Sequence, residues 1–217
     1  HSNAAHNPLA QYRNPLDVAF CATESEKNPR VVGRLLRTDC SPISDGAAAI
    51  VLSAHDAHDA SRPFVRLRAT AQATDIMPIS QRDMSELTGA RVAWQRLMDS
   101  AGLTLDDLDS VEVHDCFTTA ELMMYEAIGL TQPGEGHRAL EEGWVYAGGR
   151  LPVNLSGGLK TKGHPIGATG VSMHVISAWM LLGRFRADVL PDARFAGILN
   201  MGGASVANYG SILERVQ

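Results

Sequence analysis

No run of about 18 consecutive apolar residues occurs in the 217-residue chain, which excludes a hydrophobic helical membrane span. The longest apolar stretch, Val175 to Leu182, is interrupted by Ser177. Cysteine is scarce. Cys21, Cys40 and Cys116 are an odd number with no C-x-x-C spacing, so neither a disulfide framework nor a zinc site is expected, and no metal is assigned. Free thiols in a reducing compartment are the simplest reading. Basic charge is short as well. Lys and Arg total 19 against 24 Asp and Glu, a net charge of −5, and the basic residues are scattered. A general nucleic-acid binder needs clustered Lys and Arg, so that class is excluded. The opening residues His1-Ser2-Asn3-Ala4-Ala5-His6-Asn7-Pro8 show no basic n-region and no apolar h-region. They do not read as a signal peptide but as the interior of a longer chain. Internal repeats and low-complexity segments are absent.

What is present is an ordinary globular composition, 45% hydrophobic and 20% charged, with enough length for a sizeable core. Residues 1 to about 40 carry Asn7-Pro8, Asn14-Pro15 and Asn28-Pro29 and read as loop with short helices. A turn at Ser44-Asp45-Gly46 followed by Ala47 to Ser53 predicts a buried strand, and His55 to Pro63 a linker. Alternation over Val65 to Ala73 predicts a strand with Val65, Leu67, Ala69 and Ala71 on one face. Leu87, Ala90, Ala93, Trp94, Leu97 and Met98 form a helical stripe closed by Gly102. Leu108 to Val113 reads as a strand. Thr118-Thr119-Ala120-Glu121 has the form of a capping box, predicting a helix that starts after Phe117 and stops at Gly129. Residues 131–150 are Gly-rich loop. A further helix is expected over 167–182, facing inward with Val171, His174, Val175, Ala178, Trp179 and Leu182. Two strands, 195–200 and 205–213, follow around Met201-Gly202-Gly203-Ala204. The order β-α-β-α-loop-α-β-β defines an α/β layered domain.

Chemistry is concentrated in two strings. Val113-His114-Asp115-Cys116-Phe117 puts a thiol at a strand-to-helix junction, where a helix N-terminus favours thiolate. His114 falls on the same face if strand geometry persists. Lys162-Gly163-His164-Pro165-Ile166-Gly167-Ala168-Thr169-Gly170 presents an imidazole at a sharp turn, since Pro165 lacks an N–H and Gly163 permits unusual backbone angles. Gly202-Gly203 after a strand can aim a backbone N–H into a site, as an oxyanion hole requires, or form an ordinary hairpin turn. His6, His55, His58, His137 and His174 have no partner pattern, and Asp106, Asp107 and Asp109 read as a solvated acidic turn.

These strings resemble the thiolase superfamily, in particular its sterol-carrier-protein-2 type. The match is carried by Asn7-Pro8-Leu9-Ala10-Gln11, by Cys40-Ser41-Pro42-Ile43-Ser44-Asp45-Gly46-Ala47-Ala48-Ala49, by His114-Asp115-Cys116-Phe117, and by Leu151-Pro152-Val153-Asn154-Leu155-Ser156-Gly157-Gly158 leading into Gly163-His164-Pro165. The resemblance implies a thiolase fold, C-terminal half: an α-β-α layered domain with a mixed five-stranded sheet. Residues 1–60 would be the end of the loop domain with the last strand of the N-terminal domain, and 64–217 the C-terminal domain. It further implies thiolytic cleavage of a 3-ketoacyl-CoA by CoA, or the reverse condensation of acyl-CoA units.

By the same resemblance His164 activates the nucleophilic cysteine, and His114 stands where ordinary thiolases hold an oxyanion-hole water with Asn. Cys116 is the acid/base at the substrate α-carbon, the Gly202 N–H serves a second oxyanion hole, and Ser41 contacts the pantetheine of CoA. Most thiolases carry the acid/base cysteine in a C-terminal Cys-x-Gly; the matching segment here is Asn200-Met201-Gly202. The acyl-accepting cysteine is expected in a missing N-terminal half, since neither Cys21 nor Cys40 has its context. Coenzyme A is expected as a substrate, with no permanently bound cofactor. A homo-oligomer, a sterol-carrier or acyl-CoA-binding partner protein and a cytoplasmic location complete the expectation. The alternative is a non-catalytic thiolase-like binding subunit. A ketoacyl synthase would need His-Gly-Thr where this chain has His-Asp-Cys-Phe.

Overall fold

The computed structural model describes residues 2–54 and 61–216. Most of the expected linker, with His55 and His58, lies outside them. In chain order the described α-helices and β-strands begin with α1 (Val18–Ala22) and the hairpin β1 (Arg30–Val32) and β2 (Leu35–Leu36). They continue with β3 (Phe64–Thr74), α2 (Thr88–Ala101), β4 (Ser110–Val113), α3 (Thr118–Ala127) and α4 (Arg138–Glu141). The last are α5 (Gly158–Lys162), α6 (Thr169–Leu181), β5 (Phe195–Gly202) and β6 (Ala207–Val216). Gly102 closes α2 at φ +64°, the left-handed position that glycine takes without a Cβ penalty.

The main sheet has the order β3-β6-β5-β4, with β4 parallel to β5 and the other pairs antiparallel. It therefore has four strands among the described residues, not five. Beyond β4 the pairing shrinks to one parallel bridge, Val111 with Val153. Val111 N–H donates to Pro152 O at 3.0 Å and Asn154 N–H to Val111 O at 2.9 Å. Asn154 then turns to φ +52°, which ends the extended run before a strand can form.

Strand periodicity separates two cores. Phe195, Leu199, Met201 and Ile212 pack with Trp94, Leu97, Met124 and Tyr125 on the α2/α3 side. Ala196, Ile198 and Leu213 pack with Leu159, Met173, Ile176 and Met180 on the α5/α6 side. The predicted single face of β3 is corrected by a bulge. Leu67 pairs Leu213 but Ala69 pairs Ile212, leaving Arg68 as the extra residue. One extra residue inverts the pleat, so Val65 packs on the α6 side whereas Ala69, Ala71 and Ala73 face α2.

Three more expectations change. The run 45–53 forms no strand, and Val51 is 95% exposed. A strand needs a neighbour for its N–H and C=O groups, and no described residue pairs there. Helix α6 buries Met173, Ile176, Met180 and Leu181 rather than Val171, His174, Val175, Ala178 and Trp179. It is apolar nearly all round, so periodicity could not select its face. The capping box at α3 is not made. Phe117 is the N-cap without a side-chain bond, Thr118 Oγ1 donates to Asp39 at 2.9 Å, and Glu121 accepts from Asn154 Nδ2 at 3.1 Å.

Candidate active site

Alternation along β4 and β5 decides what meets at their carboxyl ends. Val111 and Val113 turn to the α2/α3 core, leaving Glu112 and His114 on the α6 side. Leu199 and Met201 turn the same way as Val113, leaving Asn200 beside His114. The strands run parallel with Val113 opposite Leu199, and His114 N–H donates to Leu199 O at 3.1 Å. His114 Nδ1 lies 2.7 Å from Asn200 Oδ1. Helix α6 begins against this face, where Gly170 leaves room for the Asn200 amide at the start of the helix. The turn before α6 carries His164, whose ring meets that of His114 edge to face with centroids 5.1 Å apart.

The His164 turn is held from several directions. Its backbone N–H donates to Ser44 Oγ at 3.2 Å. Its Nδ1 is 2.7 Å from Thr169 Oγ1, which donates to Pro165 O at 3.1 Å. Burial pushes the His164 pKa down, and the Lys162 ammonium adds to this. Burial lowers His114 further, to about 4, against the opposing hydrogen bond to Asn200 and with a smaller push from His164. Both imidazoles are therefore neutral at neutral pH.

Cys116 lies between Asp115 and Phe117, just before α3. Its carbonyl accepts from Ser41 N–H at 2.8 Å, and Cys40 forms an antiparallel bridge with Phe117. The expectation of a thiolate-favouring site is corrected. Burial, reinforced by the Asp115 carboxyl, pushes the thiol up to about 11, against the pull of the backbone N–H groups of Cys116 and Phe117. Desolvation outweighs the backbone donors, and the helix itself starts only at Thr118.

Several supporting residues were not singled out from the sequence. Asp115 accepts Leu159 N–H at 2.6 Å, capping the start of α5, which leads into Gly163-His164. Gly158, at φ +62°, is needed there because a Cβ would collide with the Asp115 carboxylate. Buried Glu112 accepts from Ser156 N–H at 3.1 Å and from Ser156 Oγ at 2.5 Å. Buried Lys162 donates to Ser172 Oγ at 2.9 Å. Asp115, Lys162 and Thr169 lie inside the two quoted strings, so their positions were visible; Glu112 lies outside both and carried no signal.

Ser41 lines a cleft of 900 Å³ together with Arg13, Lys27, Arg37, Cys40 and Lys160. This cleft adjoins Cys116 through the Ser41–Cys116 hydrogen bond. Gly202 ends β5, two residues past Asn200, with open space where a Cβ would be. The structure thus puts His114 in contact with both His164 and Asn200 and ties the Cys116 backbone to Ser41. Gly202 stands at the same strand end, with no bond to the histidines among the described contacts. Among the described residues no group of three or more His, Cys, Asp or Glu is placed to hold a metal ion. No described helix is long and apolar enough to cross a membrane.

A mixed sheet between helical layers, entered by two loops at the carboxyl end of its parallel pair, defines a layered α/β protein. A family model described as "Thiolase C-terminal domain-like" matches residues 71–215. An acetyl-CoA acetyltransferase from Methanothermobacter thermautotrophicus is 39% identical over 206 residues, covering 94% of this chain and 52% of that protein. Sterol carrier protein 2 from Rattus norvegicus is 33% identical over 216 residues, covering 95% of this chain and 39% of that protein. The chain belongs to the thiolase family. It spans about half the length, or less, of these curated relatives. A solved structure titled "Ltp2-ChsH2(DUF35) aldolase" shares the fold, with a TM-score of 0.78 at 19% identity over 98% of this chain and 55% of that one.

Proposed function

We propose that this chain is the C-terminal catalytic half of a thiolase, cleaving 3-ketoacyl-CoA with CoA or condensing acyl-CoA units. The observation that carries the reading is the edge-to-face contact of His114 with His164, on a strand end that continues two residues on into Cys116, whose thiol burial holds protonated. Residues 1–60 would close the loop and N-terminal domains, and 64–217 form the C-terminal domain. The acyl-accepting cysteine would come from an N-terminal half, as the greater length of the relatives suggests.

In cleavage, His164 takes the proton of that nucleophilic thiol, and the thiolate attacks the 3-keto carbon. The C2–C3 bond breaks, its electron pair moves to C2, and the Cys116 thiol protonates that carbon. The incoming CoA thiol gives its proton to the Cys116 thiolate and attacks the acyl-enzyme. The released cysteine thiolate recovers its proton from His164. Because burial holds Cys116 protonated at neutral pH, it is ready as the acid, and its thiolate is strongly basic for the reverse direction. His114 would hold a water at the thioester oxygen, the Gly202 N–H would face the second oxyanion, and Ser41 would touch the pantetheine of CoA.

The test uses the full-length polypeptide with a 3-ketoacyl-CoA. Cys116→Ala should leave acyl loading from a simple acyl-CoA detectable but lose cleavage of the 3-ketoacyl-CoA and condensation by about 10²-fold or more. His164→Ala should slow acyl loading itself. Wild-type turnover in Cys116→Ala sinks the acid/base role. The second reading, a non-catalytic binding subunit, is supported by relatives named sterol carrier protein 2 and by the two-component aldolase title. It would show as unchanged partner binding and no turnover in the intact protein.

A further inference from the structure

A neutral imidazole has two tautomers, and only one leaves a lone pair on Nε2. The surroundings of His164 select between them. Its Nδ1 lies 2.7 Å from Thr169 Oγ1. That hydroxyl is also 3.1 Å from Pro165 O, a carbonyl that can only accept. With the hydroxyl donating to Pro165, as its back-bonded geometry at the helix start allows, the oxygen meets His164 with a lone pair. A lone pair needs a donor opposite, so Nδ1 is the protonated ring nitrogen and Nε2 the bare one.

The arrangement is rigid. Pro165 O also accepts Ala168 N–H at 2.8 Å and Thr169 N–H at 2.9 Å, which fixes the carbonyl. Thr169 is the first residue of α6 and only 1% exposed, so water does not compete for its hydroxyl. Threonine four residues after the carbonyl it bonds is an ordinary local back-bond of a helix start. Here the free lone pair of that hydroxyl is turned to the functional ring. The same logic holds at His114, where Asn200 Oδ1 accepts from Nδ1 at 2.7 Å.

We propose that Thr169 is a positioning residue: its hydroxyl, anchored on the Pro165 carbonyl, locks His164 as the Nδ1–H tautomer and makes Nε2 the proton-accepting nitrogen. What Nε2 then does rests on the acyl-transfer reading above, whereas the tautomer does not. The side chain must carry both a donor and an acceptor on Cβ, so only Thr or Ser can serve.

The experiment is imidazole 15N NMR of histidine-labelled protein near pH 7.5, paired with single-turnover acyl loading from an acyl-CoA. Wild type should show His164 protonated on Nδ1 and not on Nε2. Thr169→Val, nearly isosteric, should lose that single tautomer and slow acyl loading about 10²- to 10⁴-fold, the range for a misdirected base. Thr169→Ser should restore both, which a purely structural role for the threonine methyl would not produce. An Nε2–H tautomer in wild type overturns the proposal without any variant having to fold. An unchanged tautomer and loading rate in folded Thr169→Val overturns it as well. If the tautomer behaves as expected but the intact wild type loads no acyl group, the lock stands and the acyl-transfer reading fails.

Discussion

Asp115 accepts the Leu159 backbone N–H at 2.6 Å, so the residue next to Cys116 caps the short helix that delivers His164. The bond joins the His114 string to the helix that runs into the His164 string, and the two histidine rings pack together beyond it.

Removing that cap should cost stability before it touches chemistry. Asp115→Ala leaves the buried Leu159 N–H without its partner, a loss of about 1–3 kcal/mol. Denaturant unfolding should show a lower midpoint with an unchanged slope. A midpoint equal to wild type would remove Asp115 from the account of how the strings are joined.

His114 should make stability pH-dependent in a definite direction. Its folded pKa of about 4 lies below the ordinary 6.5, so the unfolded chain binds the extra proton first. Its contribution is complete above pH 6.5 and is lost as pH falls from 6.5 toward 4. A shift of that size corresponds to roughly 3 kcal/mol at most. Comparing unfolding at pH 7.5 and pH 5 in wild type and His114→Gln checks this. The variant should show a shallower loss, and equal slopes would mean that His114 titrates normally.

Cys116 should be a slow nucleophile for external reagents. With its thiol pushed up to about 11, alkylation followed peptide by peptide should accelerate for Cys116 only at strongly alkaline pH. Half-maximal labelling of Cys116 near neutrality would contradict a burial-protected acid.

Glu214 should matter to the sheet edge. It is buried and receives Arg66 at 2.5 Å, Arg68 at 3.1 Å and Arg194 at 3.1 Å, which together hold its carboxyl below the usual range against the cost of burial. Glu214→Gln should destabilise by about 1–3 kcal/mol, moderated because the arginines reach solvent. The carboxylate contribution is present above its ordinary pKa and fades as pH falls through the lowered one. Thermal unfolding at pH 7 and pH 3.5 should show the variant losing less on acidification than wild type.

The helix stripe of α2 and its glycine stop were legible because seven buried positions repeat with helical spacing and Gly102 takes a positive φ. The stretch 45–53 was misread because small apolar residues mark a strand only when a neighbouring strand exists to pair it. Helix α6 shows the other limit of pattern reasoning: with apolar residues all round, no moment points to a core. The bulge at Arg68 left no mark in the alternation, yet it exchanged the face of half a strand.

By itself the sequence determined the chemical inventory. A histidine and a cysteine two residues apart, a second histidine in a Gly-Pro turn and a glycine pair after a strand are covalent facts, and the family can be read from them. Tertiary structure decided what those groups are. Parallel pairing of β4 with β5 placed His114 against Asn200, and the start of α6 placed Thr169 against His164. Burial made the thiol a weak acid and both rings neutral, the reverse of what the local helix dipole suggested for Cys116. Proton affinity depends on solvent exclusion and on charges from distant segments, and neither is a property of residues adjacent in the chain.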